Sequence, residues 1–251
     1  MATKLKRVFV FSLALIIINS AQIAHLNLDP PSEALAADIK SLFSPASKSD
    51  MKTKVPLSRD LDYAARISLP RYATAIRKNA RAFGLDWRLV MAIMKQESQF
   101  AENAVSGQGA YGLMQVMPTT GIEVANQLGL ENLNHPNRNI RGGVFYFAKL
   151  FDLFEGAPNS DRLKLATAAY NAGPGRIYDA QEVAAYLGEN PFSWQVIEKV
   201  LPLLSKRFYT LHSLVWDGGK PRNGYFGKSR QTILYVRSVM ENYERYKSML
   251  N

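Results

Sequence analysis

The sequence predicts a mostly α fold, on two observations: helix start and stop signals recur from Pro70 onward, and alternating period-2 runs of any length are absent. Pro70 fits the first turn of a helix reaching Phe83, with Gly84 supplying a left-handed stop. Asp86 is an N-cap residue for the next helix, which carries the run "MAIMKQESQF" (Met91 to Phe100). Further helices are predicted over Pro118 to Leu128, stopped by Gly129; over Ile140 to Phe154, stopped by Gly156; and over Asp161 to Tyr170, stopped by "NAGPG". Two more follow, Arg176 to Leu187 and Thr232 to Met249, and no internal repeat is present.

A chain of 251 residues, 47% hydrophobic, buries one sizeable core, so one main domain is expected. The net charge of +10 and pI near 9.7 suit a polyanionic partner: nucleic acid, an anionic membrane surface or an acidic wall polymer. Zero cysteines exclude a disulfide framework, a Cys-ligated zinc site, a thiol nucleophile and a lipidated cysteine anchor.

Lys4, Lys6 and Arg7 precede the 11-residue apolar run "VFVFSLALIII" (Val8 to Ile18), the pattern of a secretory signal. The run is short for a bilayer span of about 20 residues, which favours cleavage over anchoring, although membrane association through this segment stays open. Ala34-Leu35-Ala36 and the poorer Asn19-Ser20-Ala21 are the candidate cleavage sites. The chain is therefore divided into an export signal over 1–36, a Ser-, Lys-, Pro- and Ala-rich linker over 37–57 and a main domain over 58–251. Without residues 1–36 the charge is still +9, so the basic character belongs to the remainder of the chain.

Glu97 shares a helical face with Val90, Ile93 and Met94, seven, four and three positions before it. A carboxylate on that stripe is desolvated and faces the negative end of the helix dipole, and both effects favour the protonated form that a general acid needs. The ordinary alternative is a helix-end Glu whose carboxylate reaches into water. Beyond it, "NAVSGQGAYGLMQVMP" sets Gly107, Gly109 and Gly112 among Ser106, Gln108 and Gln115, a composition suited to close backbone approach. Then "ATAAYNAGPG" ends a helix at Tyr170 and Asn171.

In that order and spacing, Glu97-Ser98, "GLMQVMP" (Gly112 to Pro118) and "AYNAGPG" (Ala169 to Gly175) resemble the catalytic domain of bacterial lytic transglycosylases of the soluble-transglycosylase type, over roughly Pro70 to Arg245. The resemblance implies a helical, lysozyme-like domain with a long cleft for the glycan strands of peptidoglycan. It also implies cleavage of the MurNAc-β-1,4-GlcNAc bond without water, leaving 1,6-anhydro-MurNAc ends, and neither metal nor organic cofactor. Glu97 is the implied catalytic acid. Ser106 matches a serine that hydrogen-bonds near the acid; Met114, Gln115, Tyr170 and Asn171 match cleft residues; Ser98 supports the helix end. The family's last motif, Glu-Thr then Tyr-Val, is matched by "QTILYV" (Gln231 to Val236), where Tyr235 takes the place of the tyrosine bonded to the acid. Gln231 departs from the family's Glu, which removes a charge and puts any second-carboxylate role in doubt.

Before that motif, the segment from Pro202 to Arg230 is longer than the family pattern, and no structure is assigned to it. It interleaves Lys206, Arg207, Lys220, Arg222, Lys228 and Arg230 with Phe208, Tyr209, Trp216, Tyr225 and Phe226. Such a pattern binds single-stranded nucleic acid in other settings, but in an exported protein sugar stacking and contacts to stem-peptide carboxylates are the better use. His25, His135 and His212 are too scattered for a recognisable metal site. Three classes of function therefore stand: a lytic transglycosylase of the periplasm or cell envelope, a hydrolase of the same fold resembling goose-type lysozymes, and a catalytically silent wall-binding scaffold.

Overall fold

Residues 63–250, with Ser41, are described by a computed structural model; apart from Ser41, the expected export signal over 1–36 and linker over 37–57 lie outside the described residues. Nine α-helices and two short 3-10 turns make up this region, and its only β pairing among the described residues is two isolated bridges, Val105 to Tyr111 and Tyr111 to Val116.

The first helix, α1 (Tyr63–Ala82), starts earlier than the sequence predicts. Pro70 lies inside it rather than in its first turn, with an exposed ring, so the carbonyl that loses its amide partner is on the solvent side where water can serve it. Gly84, at φ +69°, then turns the chain. In α2 (Trp87–Ser98) the Asp86 carboxylate accepts from the Arg88 amide at 2.9 Å, as an N-cap should. Leu89 to Met94 are all buried, so α2 is enclosed on every side rather than along one stripe. It packs against α1 on one side and the last helix on another.

The helix α3 (Pro118–Leu128) runs as predicted, with Gly129 as its left-handed cap. α4 (Pro136–Asp152) begins a turn before the predicted Ile140, because Pro136 sits at the first helical position and His135 Nδ1 accepts from the Asn137 amide. α5 (Asn159–Ala172) and α6 (Pro174–Tyr186) are separated by Gly173 alone, at φ +86°. The unassigned stretch after Pro202 follows α7 (Trp194–Val200) and contains α8 (Tyr209–Val215). α9 (Ser229–Met249) closes the domain, burying Thr232, Tyr235, Val236 and Val239 at helical spacing. It packs on both α2 and α5 and so holds the acid-bearing helix against the "AYN" helix. No described helix is long and apolar enough to cross a membrane.

Candidate active site

Glu97 lies in the last turn of α2, partly exposed, and its Oε1 accepts a hydrogen bond from the Tyr235 hydroxyl at 2.5 Å. Burial pushes its carboxyl up to about 7 from the ordinary 4.5, and the Tyr235 bond, which favours the ionised form, pulls it back. Among the described residues, no carboxylate contributes to this shift. The acid is thus poised to hold a proton near neutrality and to release it. Tyr235 is buried, and desolvation, with the Glu97 charge next in weight, drives its phenol well above 10, so it stays a donor at any working pH.

Three more hydrogen bonds tie the surrounding motifs into a closed ring with that one. Ser98, the residue after the acid, is buried and donates to the Leu113 carbonyl at 2.9 Å and to Met94 at 3.1 Å, fixing α2 to the "GLMQ" loop. The Tyr170 hydroxyl donates to the next carbonyl, that of Met114, at 2.7 Å, which ties α5 to the same loop. Thr232 donates to the Asn171 side-chain oxygen at 2.8 Å, linking α5 to α9, and Tyr235 of α9 returns to Glu97. Each motif is positioned by its neighbour, so the acid cannot shift without disturbing all four segments.

The loop itself is held by unusual backbone geometry. Gln99 and Phe100 turn the chain out of α2 with φ of 51° and 63°, and Gln115 sits at φ 45°. Gln115 compensates by donating its side-chain amide to the Ala104 and Gly112 carbonyls, each at 2.9 Å, so it is a brace of the loop. Gly112 is required twice over: its φ is +80°, and a Cβ there would lie 2.6 Å from the Asn139 side chain. Asn139 is buried on α4, donates to the Tyr111 carbonyl and accepts from the Met114 amide at 2.8 Å. Gly143, one turn on, lets the Met114 side chain lie against the α4 backbone.

Of the residues predicted from sequence, Glu97, Ser98, Met114, Tyr170, Asn171 and Tyr235 are joined in this ring, and Gln115 braces it. Ser106 stands apart: it is exposed, and its hydroxyl accepts from the Gln108 and Ala110 amides of its own loop. Gln231 is exposed at the start of α9. The sequence reading missed Thr232, Asn139 and Gly143. Thr232 was detectable as a member of the buried α9 stripe, and Asn139 as a polar residue on the apolar face shared by Ile140, Val144 and Phe147.

The basic aromatic segment folds back on α6. Asn223 donates its backbone and side-chain amides to the buried Asp179, each at 3.0 Å, and Trp216 and Arg222 both engage Glu182. Trp216 and Phe226 are buried in the core and cannot stack on a sugar; Tyr209 and Tyr225 are the exposed rings.

This arrangement defines a carboxyl acid held by a tyrosine at the edge of a helical domain. Residues 74–192 match the family described as Transglycosylase SLT domain, so this stretch of the chain is a domain of that description. Among its relatives, Membrane-bound lytic murein transglycosylase F of Marinobacter nauticus is 35% identical over 178 residues, 70% of this chain and 33% of the relative. A protein called Membrane-bound lytic murein transglycosylase F 1, from Alkalilimnicola ehrlichii, is 36% identical over 177 residues, with the same shares. The chain thus spans about a third of the length of these relatives. Lytic transglycosylase Slt of Pseudomonas aeruginosa has the same fold, with a TM-score of 0.51 at 24% identity over 87% of this chain and 30% of that one. The 70 kDa soluble lytic transglycosylase of Escherichia coli scores 0.50 at 21% identity, over 72% of this chain and 24% of that one. The fold is accordingly the mostly α, lysozyme-like one.

Proposed function

We propose that the protein is a peptidoglycan lytic transglycosylase in which Glu97 serves as both general acid and general base. The observation that carries this reading is the pairing of Glu97 with Tyr235, which leaves a carboxyl that titrates near 7 beside a permanent donor. The family of the domain and the names of its relatives support the substrate class.

Protonated Glu97 gives its proton to the glycosidic oxygen as the C1–O bond of MurNAc breaks, and the GlcNAc hydroxyl departs. The 2-acetamido group of MurNAc shields the developing oxocarbenium centre. The C6 hydroxyl of the same sugar then attacks C1 and returns its proton to Glu97, forming the 1,6-anhydro ring and restoring the acid. Because the nucleophile belongs to the substrate, effective molarity replaces a second carboxylate and no water is consumed. Tyr235 stabilises the carboxylate between the two transfers. The setting of such an enzyme is the periplasm or cell envelope, with glycan strands as partner.

The test is lysis of purified sacculi by the Glu97→Gln variant, which keeps the size of the side chain and removes the transferable proton. Turnover should fall by orders of magnitude while glycan binding persists; near-normal lysis would sink the assignment.

A further inference from the structure

The solvent face of α1 has a composition that the catalytic reading does not use. Its 20 residues include Arg66, Arg71, Arg77, Lys78 and Arg81 and not one acid. All five cations are exposed, whereas the buried residues Ala65, Ser68, Tyr72, Ile76 and Ala80 occupy the opposite face. Exposed positions 63, 66, 67, 70, 71, 74, 77, 78 and 81 follow one another by one or three residues, so they form a single stripe along about 30 Å of helix. Within it Tyr63 and Ile67 are 78% and 56% exposed and flank Arg66. Arg71 pairs with Glu102 at 3.3 Å and Arg77 lies over the Trp87 ring at 4.5 Å. Arg66, Lys78 and Arg81 have no acidic partner among the described residues.

From this stripe we propose that α1 is a membrane-docking face, which seats the domain on the headgroups of an anionic phospholipid bilayer. Charge complementarity argues for an anionic surface, and four of the five cations are arginines, whose fork of donors matches phosphate oxygens. Shape separates a bilayer from a glycan strand. A strand is gripped in a concavity, whereas one convex helix lying flat offers a row of contacts to a plane. Tyr63 and Ile67 add what a wall polymer does not reward, an aromatic and an aliphatic side chain at the level where headgroups meet acyl chains. The inference is independent of the chemistry at Glu97, since α1 contributes no residue to the hydrogen-bonded ring.

The experiment is vesicle co-sedimentation of the full chain, with phosphatidylglycerol–phosphatidylcholine vesicles against pure phosphatidylcholine at low and high salt. A triple variant, Arg66→Gln, Lys78→Gln and Arg81→Gln, is compared with a second of equal charge loss on the other basic segment, Lys220→Gln, Lys228→Gln and Arg230→Gln. Each charge at an anionic surface strengthens partitioning about fivefold, so the α1 triple should bind anionic vesicles about a hundredfold more weakly. The second triple should bind them within a few fold of the parent. The pair Tyr63→Ser and Ile67→Ser should weaken binding further at high salt, where the charges are screened. Circular dichroism melts accompany each variant, and a single variant, Arg81→Gln, serves if the triple does not fold. Equal losses for both triples would show a response to net charge alone. A loss on sacculi without a loss on vesicles would make α1 a wall contact. Either result overturns the proposal.

Discussion

The Tyr235 hydroxyl meets the Glu97 carboxyl across 2.5 Å, joining residues 138 positions apart in the chain. Through that bond the folding of α9 onto α2 sets the proton affinity of the carboxyl. Burial favours the protonated form of Glu97, and Tyr235 offsets part of that bias by stabilising the anion, as the two transfers of the proposed mechanism need.

Removing the hydroxyl should therefore change both rate and pH dependence. Tyr235→Phe should cost roughly 1 to 3 kcal/mol in the barrier, since it deletes one hydrogen bond to a charged group. On the proposed mechanism activity requires protonated Glu97 and should fall as pH rises through its pKa of about 7. With the donor gone that pKa rises further, so the basic limb of the kcat/KM profile should move to higher pH while the melting temperature changes little. An unmoved limb with an unchanged rate would make Tyr235 a packing residue.

Glu97 should also leave a signature in stability. Its folded pKa, about 7, exceeds the ordinary 4.5, so the folded state binds the proton more tightly and the stabilisation is complete below 4.5. It is lost progressively as pH rises to about 7, above which a desolvated carboxylate persists. Glu97→Gln carries no such charge. Its stability relative to the parent should be flat below pH 4.5, climb between 4.5 and 7, and level off at a gain of at most about 3 kcal/mol, reduced by the partial exposure of the site. Denaturant melts of both proteins across pH measure this, and a pH-independent difference would contradict the perturbed carboxyl.

Two glycine substitutions separate close approach from helix propensity. A Cβ on Gly143 would lie 2.4 Å from the Met114 Cβ, so Gly143→Ala should lose 1 to 3 kcal/mol, roughly, despite alanine's better helix propensity, and should disturb the Met114 carbonyl that Tyr170 grips. Gly121→Ala has nearest contacts at 3.8 and 3.9 Å and should be neutral or stabilising by up to about 1 kcal/mol. Thermal melts and sacculus turnover of the two variants distinguish them; equal effects would remove the packing argument.

The basic segment that folds on α6 gives a further test. Lys220, Lys228 and Arg230 are exposed, whereas Arg222 is occupied by Glu182. Neutralising the three exposed cations should weaken sacculus binding at low salt and matter less at high salt, with activity on short uncharged chitin-like oligomers almost unchanged. Equal losses on charged and uncharged substrates would assign these residues to the shape of the cleft.

Most of the helices were legible because their ends carry local chemistry, as at Asp86, Gly84 and Gly129. Pro70 misled because a proline inside a helix and one at its start look alike until the exposure of the ring is known. The short α7 and α8 were not anticipated; at seven residues each, they depend on tertiary packing more than on caps or periodicity. In the site, the motif residues were visible but their connections were not. Asn171 and Gln115 read as cleft residues in the sequence, but the bond from Thr232 to the one and the bracing of two loop carbonyls by the other join segments that no local pattern links. The sequence also placed Glu97 on an apolar stripe, while the structure buries α2 all round, so its proton is held up by enclosure more than by a single face.

The most direct test of the central claim is mass spectrometry of the fragments released from purified sacculi by the parent protein and by Glu97→Gln. A single acid that returns the C6 proton to itself predicts muropeptides ending in 1,6-anhydro-MurNAc, each lighter by one water than the hydrolytic product and resistant to borohydride reduction, and their near-disappearance with Glu97→Gln. Reducible MurNAc ends from the parent protein would show that water is the nucleophile, and anhydro ends released undiminished by the variant would show that the proton comes from elsewhere.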